Sequence, residues 1–175
     1  MTPTYRSPLL DRPGAVPAAG VDAGVAAHYG DPLREQRTPG PVDLSHRGVV
    51  RVSGPDRLSW LHSLTTQHVE HLGPGSPTEA LVLSPHGHVE HALYAVDDGS
   101  AFWAHLEPGA APALVAFLDS MRFLLQVELA DLTEEFAVVW QPDPAPHGSF
   151  LTRVTDRGRE AFVPRASLVA ELGAA

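Results

Sequence analysis

The chain has 175 residues, a net charge of −9, no cysteine and no lysine, all 12 basic residues being arginine. That length suits one domain, or one domain and part of another, without disulfides or metals to hold the core. The missing residue types exclude a disulfide framework, a thiolate nucleophile, cysteine-ligated zinc or iron–sulfur clusters, Schiff-base chemistry and a P-loop lysine. The acidity argues against nucleic acid as a partner. No run reaches the roughly 18 apolar residues of a membrane span, and no signal pattern opens the chain, so a cytoplasmic protein with no membrane partner is expected.

Residues 1–40 are rich in Pro, Gly and Ala, with Pro3, Pro8, Pro13, Pro17, Pro32 and Pro39 recurring. So few apolar side chains do not offset the entropy of ordering, and much of the segment is expected to be extended or mobile. Tyr29 and Leu33 are the exceptions that can dock on the body. Val49, Val50 and Val52 predict a strand over 48–53. A helix is predicted next, with Ser53 as cap, Pro55 in the first turn and Asp56 complementing the helix dipole. Leu58, Leu61, Leu64 and Leu72 fall at helical spacing with Trp60 beside them, and Gly73-Pro74-Gly75 stops the helix.

Strands are predicted over 80–83 and 89–96, joined at Ser84-Pro85-His86-Gly87-His88. Asp97-Asp98-Gly99 turns into a strand over 102–106. Pro108 opens a helix over 110–120; 124–132 and 136–140 read as strands. A proline-rich break at Pro142, Pro144 and Pro146 precedes strands over 150–154 and 160–163 and a closing helix over 165–172. The order predicts an α+β fold, an antiparallel sheet with helices packed on one face.

Ten histidines raise the question of a metal. His88 and His91 fall on opposite faces of a strand, and His-x-His without a third ligand is a weak zinc signal. His68 and His71 share a face of the predicted helix. Surface histidines are the expected reading, with no metal site. Ser84 lies near His86, but no Gly-x-Ser-x-Gly elbow holds it, so no hydrolase triad and no catalytic residue is assigned. His91 groups by parity with Val89, Leu93 and Ala95, as a hydrogen-bonded core histidine would. Asp43-Leu44-Ser45-His46 reads either as a turn leading into the first strand or as a shaper of a ligand cavity.

Asp43-Leu44-Ser45-His46, Val52-Ser53-Gly54-Pro55-Asp56 and Leu81-Val82-Leu83-Ser84-Pro85-x-Gly87 together resemble the N-terminal part of the folate-binding superfamily. That superfamily contains the aminomethyltransferase (T-protein) of the glycine cleavage system and the YgfZ-like folate-binding proteins. The resemblance covers residues 40–141 and is specific over 42–96; Ala137-Val138-Val139-Trp140-Gln141 resembles the strand that ends the family's domain. It implies a folate-binding-type domain over 41–141, between an N-terminal extension (1–40) and a linker with the start of a further subdomain (142–175). Family members are considerably longer, so this chain is expected to be an N-terminal portion.

By resemblance, the ligand-binding positions are Glu79, Ser84, His91 and Ala92, and the cofactor is tetrahydrofolate or a derivative. Where T-proteins carry an Asp-Asp pair facing the folate, this chain has His91 and Ala92; Glu79 stands where the enzymes present a tyrosine. Glu90 falls one place early. The resemblance is to the actinobacterial type, and the departures favour a YgfZ-like protein, a non-transferase that binds a folate-class molecule and supports assembly or repair of iron–sulfur enzymes. The YgfZ signature Lys-Gly-Cys-Tyr-x-Gly-Gln-Glu is absent, as zero Cys and zero Lys require. The alternatives are a folate-dependent aminomethyltransferase and a non-catalytic interaction module with a vestigial folate cavity.

Overall fold

A computed structural model describes residues 5–38, 40–142 and 149–173. In chain order the elements are β1 (Val16–Pro17), β2 (Ala26–His28), α1 (Pro32–Arg37), β3 (Val42–Asp43), β4 (Gly48–Ser53) and α2 (Arg57–Leu64). Then come β5 (Pro77–Leu83), β6 (Val89–Asp97), β7 (Ala101–Leu106), α3 (Ala111–Ser120) and β8 (Glu128–Asp131). The last are β9 (Phe136–Gln141), β10 (Leu151–Thr155), β11 (Gly158–Pro164) and α4 (Leu168–Gly173). The contacts divide the chain into two compact units, Gly48–Thr133 and Met1–Arg47 with Glu134–Ala175.

The 48–133 unit is the predicted α+β arrangement. Its five strands run in the order β5-β6-β7-β4-β8, every neighbour antiparallel. Alternation sends Val50, Val52, Val82, Leu93, Ala95, Phe102, Ala104 and Leu106 to one face, where Trp60 and Leu61 of α2 and Ala111, Leu114 and Leu118 of α3 close the core. Burying such side chains contributes on the order of 1.5–3 kcal/mol each, so this face is the unit's main source of stability. Gly54 lets β4 turn into α2: its φ is +107°, and a Cβ there would lie 2.1 Å from the Gln126 carbonyl oxygen.

The other unit holds a four-stranded antiparallel sheet, β10-β11-β9-β3. Ala137, Val139, Ala161 and Val163 pack with Leu168 and Leu172 of the C-terminal helical segment and with Leu9. Residues 5–38, expected to be largely extended, carry 3-10 turns at Pro8–Asp11 and Gly20–Asp22, the β1–β2 ribbon and α1. Asp31 caps α1 by accepting from the Arg34 N–H, and Pro32 opens it. Tyr29 packs against the second core as expected, whereas Leu33 is 64% exposed and does not.

Three further expectations are corrected. The helix opened at Gly54 ends at Leu64 and does not reach Leu72, because Thr65 adopts an extended conformation and turns its hydroxyl onto the Leu61 carbonyl at 2.8 Å. Its N-cap is Asp56, while Ser53 stays in the strand, paired with Ala101 and Glu128. The strand expected over 124–132 is confined to β8, since Leu124 has φ +55° and 123–124 form a turn. Of the proline-rich break, Pro144 and Pro146 lie outside the described residues, as do Pro3 and Pro39. Among the described residues no helix is long and apolar enough to cross a membrane.

Candidate functional site

The β5–β6 hairpin fixes the four residues singled out from sequence. Glu79 pairs with Tyr94 and Leu81 with Ala92, so Glu79 and Ala92 share one face of the sheet. His91 pairs with Val82 on the opposite face, in line with Leu93 and Ala95 of the core. A bulge makes Glu90 the extra residue between the pairs Val82–His91 and Leu83–Val89. Ser84 closes the turn: its N–H donates to the His88 carbonyl at 2.8 Å and its hydroxyl accepts from the His88 N–H at 3.1 Å. The four positions therefore do not converge. Glu79 and Ala92 face one way, His91 faces the other, and Ser84 is used by the turn.

His91 is half-buried, and its Nδ1 is buried with no hydrogen-bond partner among the described residues. Burial holds its pKa below the ordinary value, with Glu90 opposing the shift. A neutral imidazole with an unsatisfied buried nitrogen can accept from, or donate to, a ligand at the edge of the core. On the other face, the register aligns Glu79 with Tyr94 and Tyr94 with His105 across three strands. The Tyr94 and His105 rings stack at 5.1 Å and 16°. Glu79 is thus an exposed carboxylate beside an aromatic pair. Sequence reasoning singled out neither Tyr94 nor His105, because nothing local in the chain links the two.

In the other unit, a cavity of about 530 Å³ opens among Leu9, Arg12, Ala26, His28, Tyr29, Arg34, Glu35, Val42, Asp43 and Leu172. That size falls within the range of small-molecule sites. Arg12 donates to the Leu172 carbonyl at 2.9 Å and lies 5.4 Å from the Tyr29 ring centroid. Glu35 accepts from the Tyr29 N–H at 2.9 Å. The Tyr29 phenol is pushed up to about 12 by burial first and then by the Asp43 carboxylate, and so remains a hydrogen-bond donor.

Asp43 accepts from the Ser7 hydroxyl at 2.5 Å and from the Ser45 N–H at 2.9 Å. The Asp43-Leu44-Ser45-His46 motif forms a turn, the Arg47 N–H donating to the Leu44 carbonyl at 3.0 Å, and of its residues Asp43 also lines the cavity. The turn is anchored further by Tyr5 on Ser45 at 2.9 Å, Asp22 on His46 at 2.7 Å and Arg165 on the Ser45 carbonyl at 3.0 Å. Sequence reasoning missed Arg12 and Arg34 as cavity residues. The Asp31-Pro32 helix start was a readable signal for the element that carries Arg34.

The fold is the α+β fold of the aminomethyltransferase T-protein. The solved structure of glycine cleavage system aminomethyltransferase T from Bartonella henselae superposes with a TM-score of 0.76 over 93% of this chain and 53% of that one, at 18% identity. Among curated proteins, the aminomethyltransferase of Chromobacterium violaceum is 30% identical over 137 residues, 74% of this chain and 38% of the relative. The mitochondrial iron-sulfur cluster assembly factor IBA57 homolog of Mycosarcoma maydis is 32% identical over 109 residues, 55% of this chain and 27% of the relative. These similarities point to the aminomethyltransferase superfamily, IBA57 included. The chain spans less than half the length of either curated relative. No family model matches the sequence.

Proposed function

We propose that this chain is the folate-binding-type portion of a cytoplasmic, YgfZ-like protein, centred on residues 41–141. It binds tetrahydrofolate or a derivative without transferring an aminomethyl group, and it supports assembly or repair of iron–sulfur enzymes. The observation that carries the reading is at the hairpin. The two positions that resemblance aligns with the T-protein carboxylates are His91 and Ala92, on opposite faces, and the nearest acid, Glu90, sits exposed in a bulge. Chemistry that needs a carboxylate beside the folate has no such group at either position. The similarity to the Mycosarcoma maydis assembly factor supports the iron–sulfur side of the reading.

The proposed ligand contact is Glu79, whose carboxylate accepts from pterin N–H groups on the face it shares with Ala92; the alternative contact is His91, whose buried nitrogen would supply a hydrogen bond on the opposite face. The test is thermal unfolding with tetrahydrofolate and with folinic acid. A binder at 100 times its Kd gains about 2.7 kcal/mol, a shift of roughly 5–10 °C for a chain of this size. Loss of the shift in Glu79→Gln assigns the ligand to the Glu79 face of the hairpin, and loss in His91→Ala to the opposite face. Loss in Arg12→Ala instead moves it to the 530 Å³ cavity. No shift with either compound sinks folate binding, and the interaction-module alternative takes its place. Aminomethyl transfer by the unmodified chain would overturn the non-transferase assignment.

A further inference from the structure

We propose that His62, His68 and Glu70 bind one divalent transition-metal ion, of which zinc is the type, at the connection between α2 and β5. One ligand atom from each of the three lies within 4.8 Å of the others. The His62 and His68 rings are 4.3 Å apart, edge to face, and the His71 ring is 5.9 Å from that of His68. Two imidazoles and a carboxylate are a borderline donor set that suits Zn²⁺, with the fourth position left to water or to His71.

The early end of α2 creates the cluster. Had the helix continued to Leu72, His62 and His68, six residues apart, would point to different sides of it, since helical neighbours are three or four apart. Instead the chain breaks at Thr65 and folds His68 back over the last turn. Val69, 1% exposed, inserts into the core between His68 and Glu70, which are both exposed. The loop is also tied to β5, the Thr66 N–H donating to the Leu81 carbonyl at 3.0 Å and the Leu81 N–H to the Thr66 hydroxyl at 3.1 Å. The Leu72 N–H closes a turn on the Val69 carbonyl at 3.0 Å.

Most of the backbone ordering that a metal would demand is therefore built into the fold. With Zn–N bonds of about 2.0–2.1 Å, ligand atoms in a tetrahedral shell sit about 3.3 Å apart. Closing from the observed spacing takes side-chain shifts of roughly 1–1.5 Å, which exposed His68 and Glu70 can make by rotation about χ. The bound ion would staple the end of α2 to the approach to β5.

The test is calorimetric titration of ZnCl₂ into untagged, chelator-stripped protein, with Co²⁺ absorption as a second readout. One equivalent is expected to bind. His68→Asn and Glu70→Gln, both at exposed positions, should each weaken binding about tenfold or more with the circular dichroism spectrum unchanged, and His62→Asn should weaken it likewise. His86→Ala/His88→Ala, which removes two exposed histidines elsewhere, should bind as the unmodified chain does. Failure to take up zinc overturns the proposal, as does equal uptake by the unmodified chain and His62→Asn/His68→Asn.

Discussion

Arg57, in the first turn of α2, grips Asp97, the last residue of β6, through two parallel hydrogen bonds of 2.8 Å each. The Asp97 side chain is 1% exposed and that of Arg57 12%. The pair ties the start of the helix to the far end of the hairpin strand, and Gly99 N–H adds a third bond to the same carboxylate at 2.8 Å. Carboxylate and guanidinium match as forks, and the attraction raises the Arg57 pKa further. Removing one member of such a buried pair strands the other charge. Arg57→Met is expected to cost about 3–5 kcal/mol in urea unfolding, and Arg57→Met/Asp97→Leu less than that single change. Equal stability of Arg57→Met and the unmodified chain would show that the pair carries no structural weight.

Gly54→Ala is expected to destabilise the chain by roughly 3 kcal/mol or more. The backbone there has φ +107°, and the added carbon would meet the Gln126 carbonyl oxygen at 2.1 Å. Gly75→Ala shares the positive φ but has nothing within 4 Å, so it should cost markedly less. The difference in thermal midpoint between the two variants isolates the close approach from the backbone strain.

His91 should titrate below its ordinary value of 6.5 in an NMR pH series. Because its folded pKa is depressed, the unfolded chain takes up the proton first as the pH falls. Stability contributed by the neutral form is therefore whole above 6.5 and declines as the pH drops through and below that value. His91→Gln should show a shallower loss of stability between pH 7.5 and 5.5. An equally steep loss in the variant would assign the effect to other histidines.

Tyr29 makes the opposite prediction at high pH. Its phenol is held up to about 12 against an ordinary 10, so the unfolded chain loses its proton first. Stability is unaffected below pH 10 and falls as the pH climbs from 10 towards 12. An absorbance titration should show one late tyrosine that disappears in Tyr29→Phe and moves earlier in Asp43→Asn, where a neighbouring negative charge is gone. An unchanged titration in Asp43→Asn would remove Asp43 as a cause.

Local chemistry made much of this protein readable from its residues. The β-branched run over 48–53, the apolar run over 80–83 and the loose alternation over 89–96 located the sheet, and the turn residues at Pro85-x-Gly87 and Asp97-Asp98-Gly99 located its reversals. Motif likeness over 42–96 pointed to the superfamily. These signals survive because each depends on neighbours within a few positions along the chain.

Tertiary structure alone decided what depends on distant partners. Residues 5–38 look too poor in apolar side chains to order, yet Ser7 reaches Asp43, His46 reaches Asp22, and Leu9 packs with Leu168. Leu58, Leu61, Leu64 and Leu72 carry a helical period although the helix stops at Leu64, since Leu72 still packs against the same core from a turn. That stop brings His62 onto His68, a proximity the linear spacing conceals. A chain declares its periodicities and caps within a window of a few residues. Which side chains meet across tens of residues follows from how the sheets close and where helices end, because only burial and hydrogen bonding at those meetings offset the entropy of ordering the segments between them.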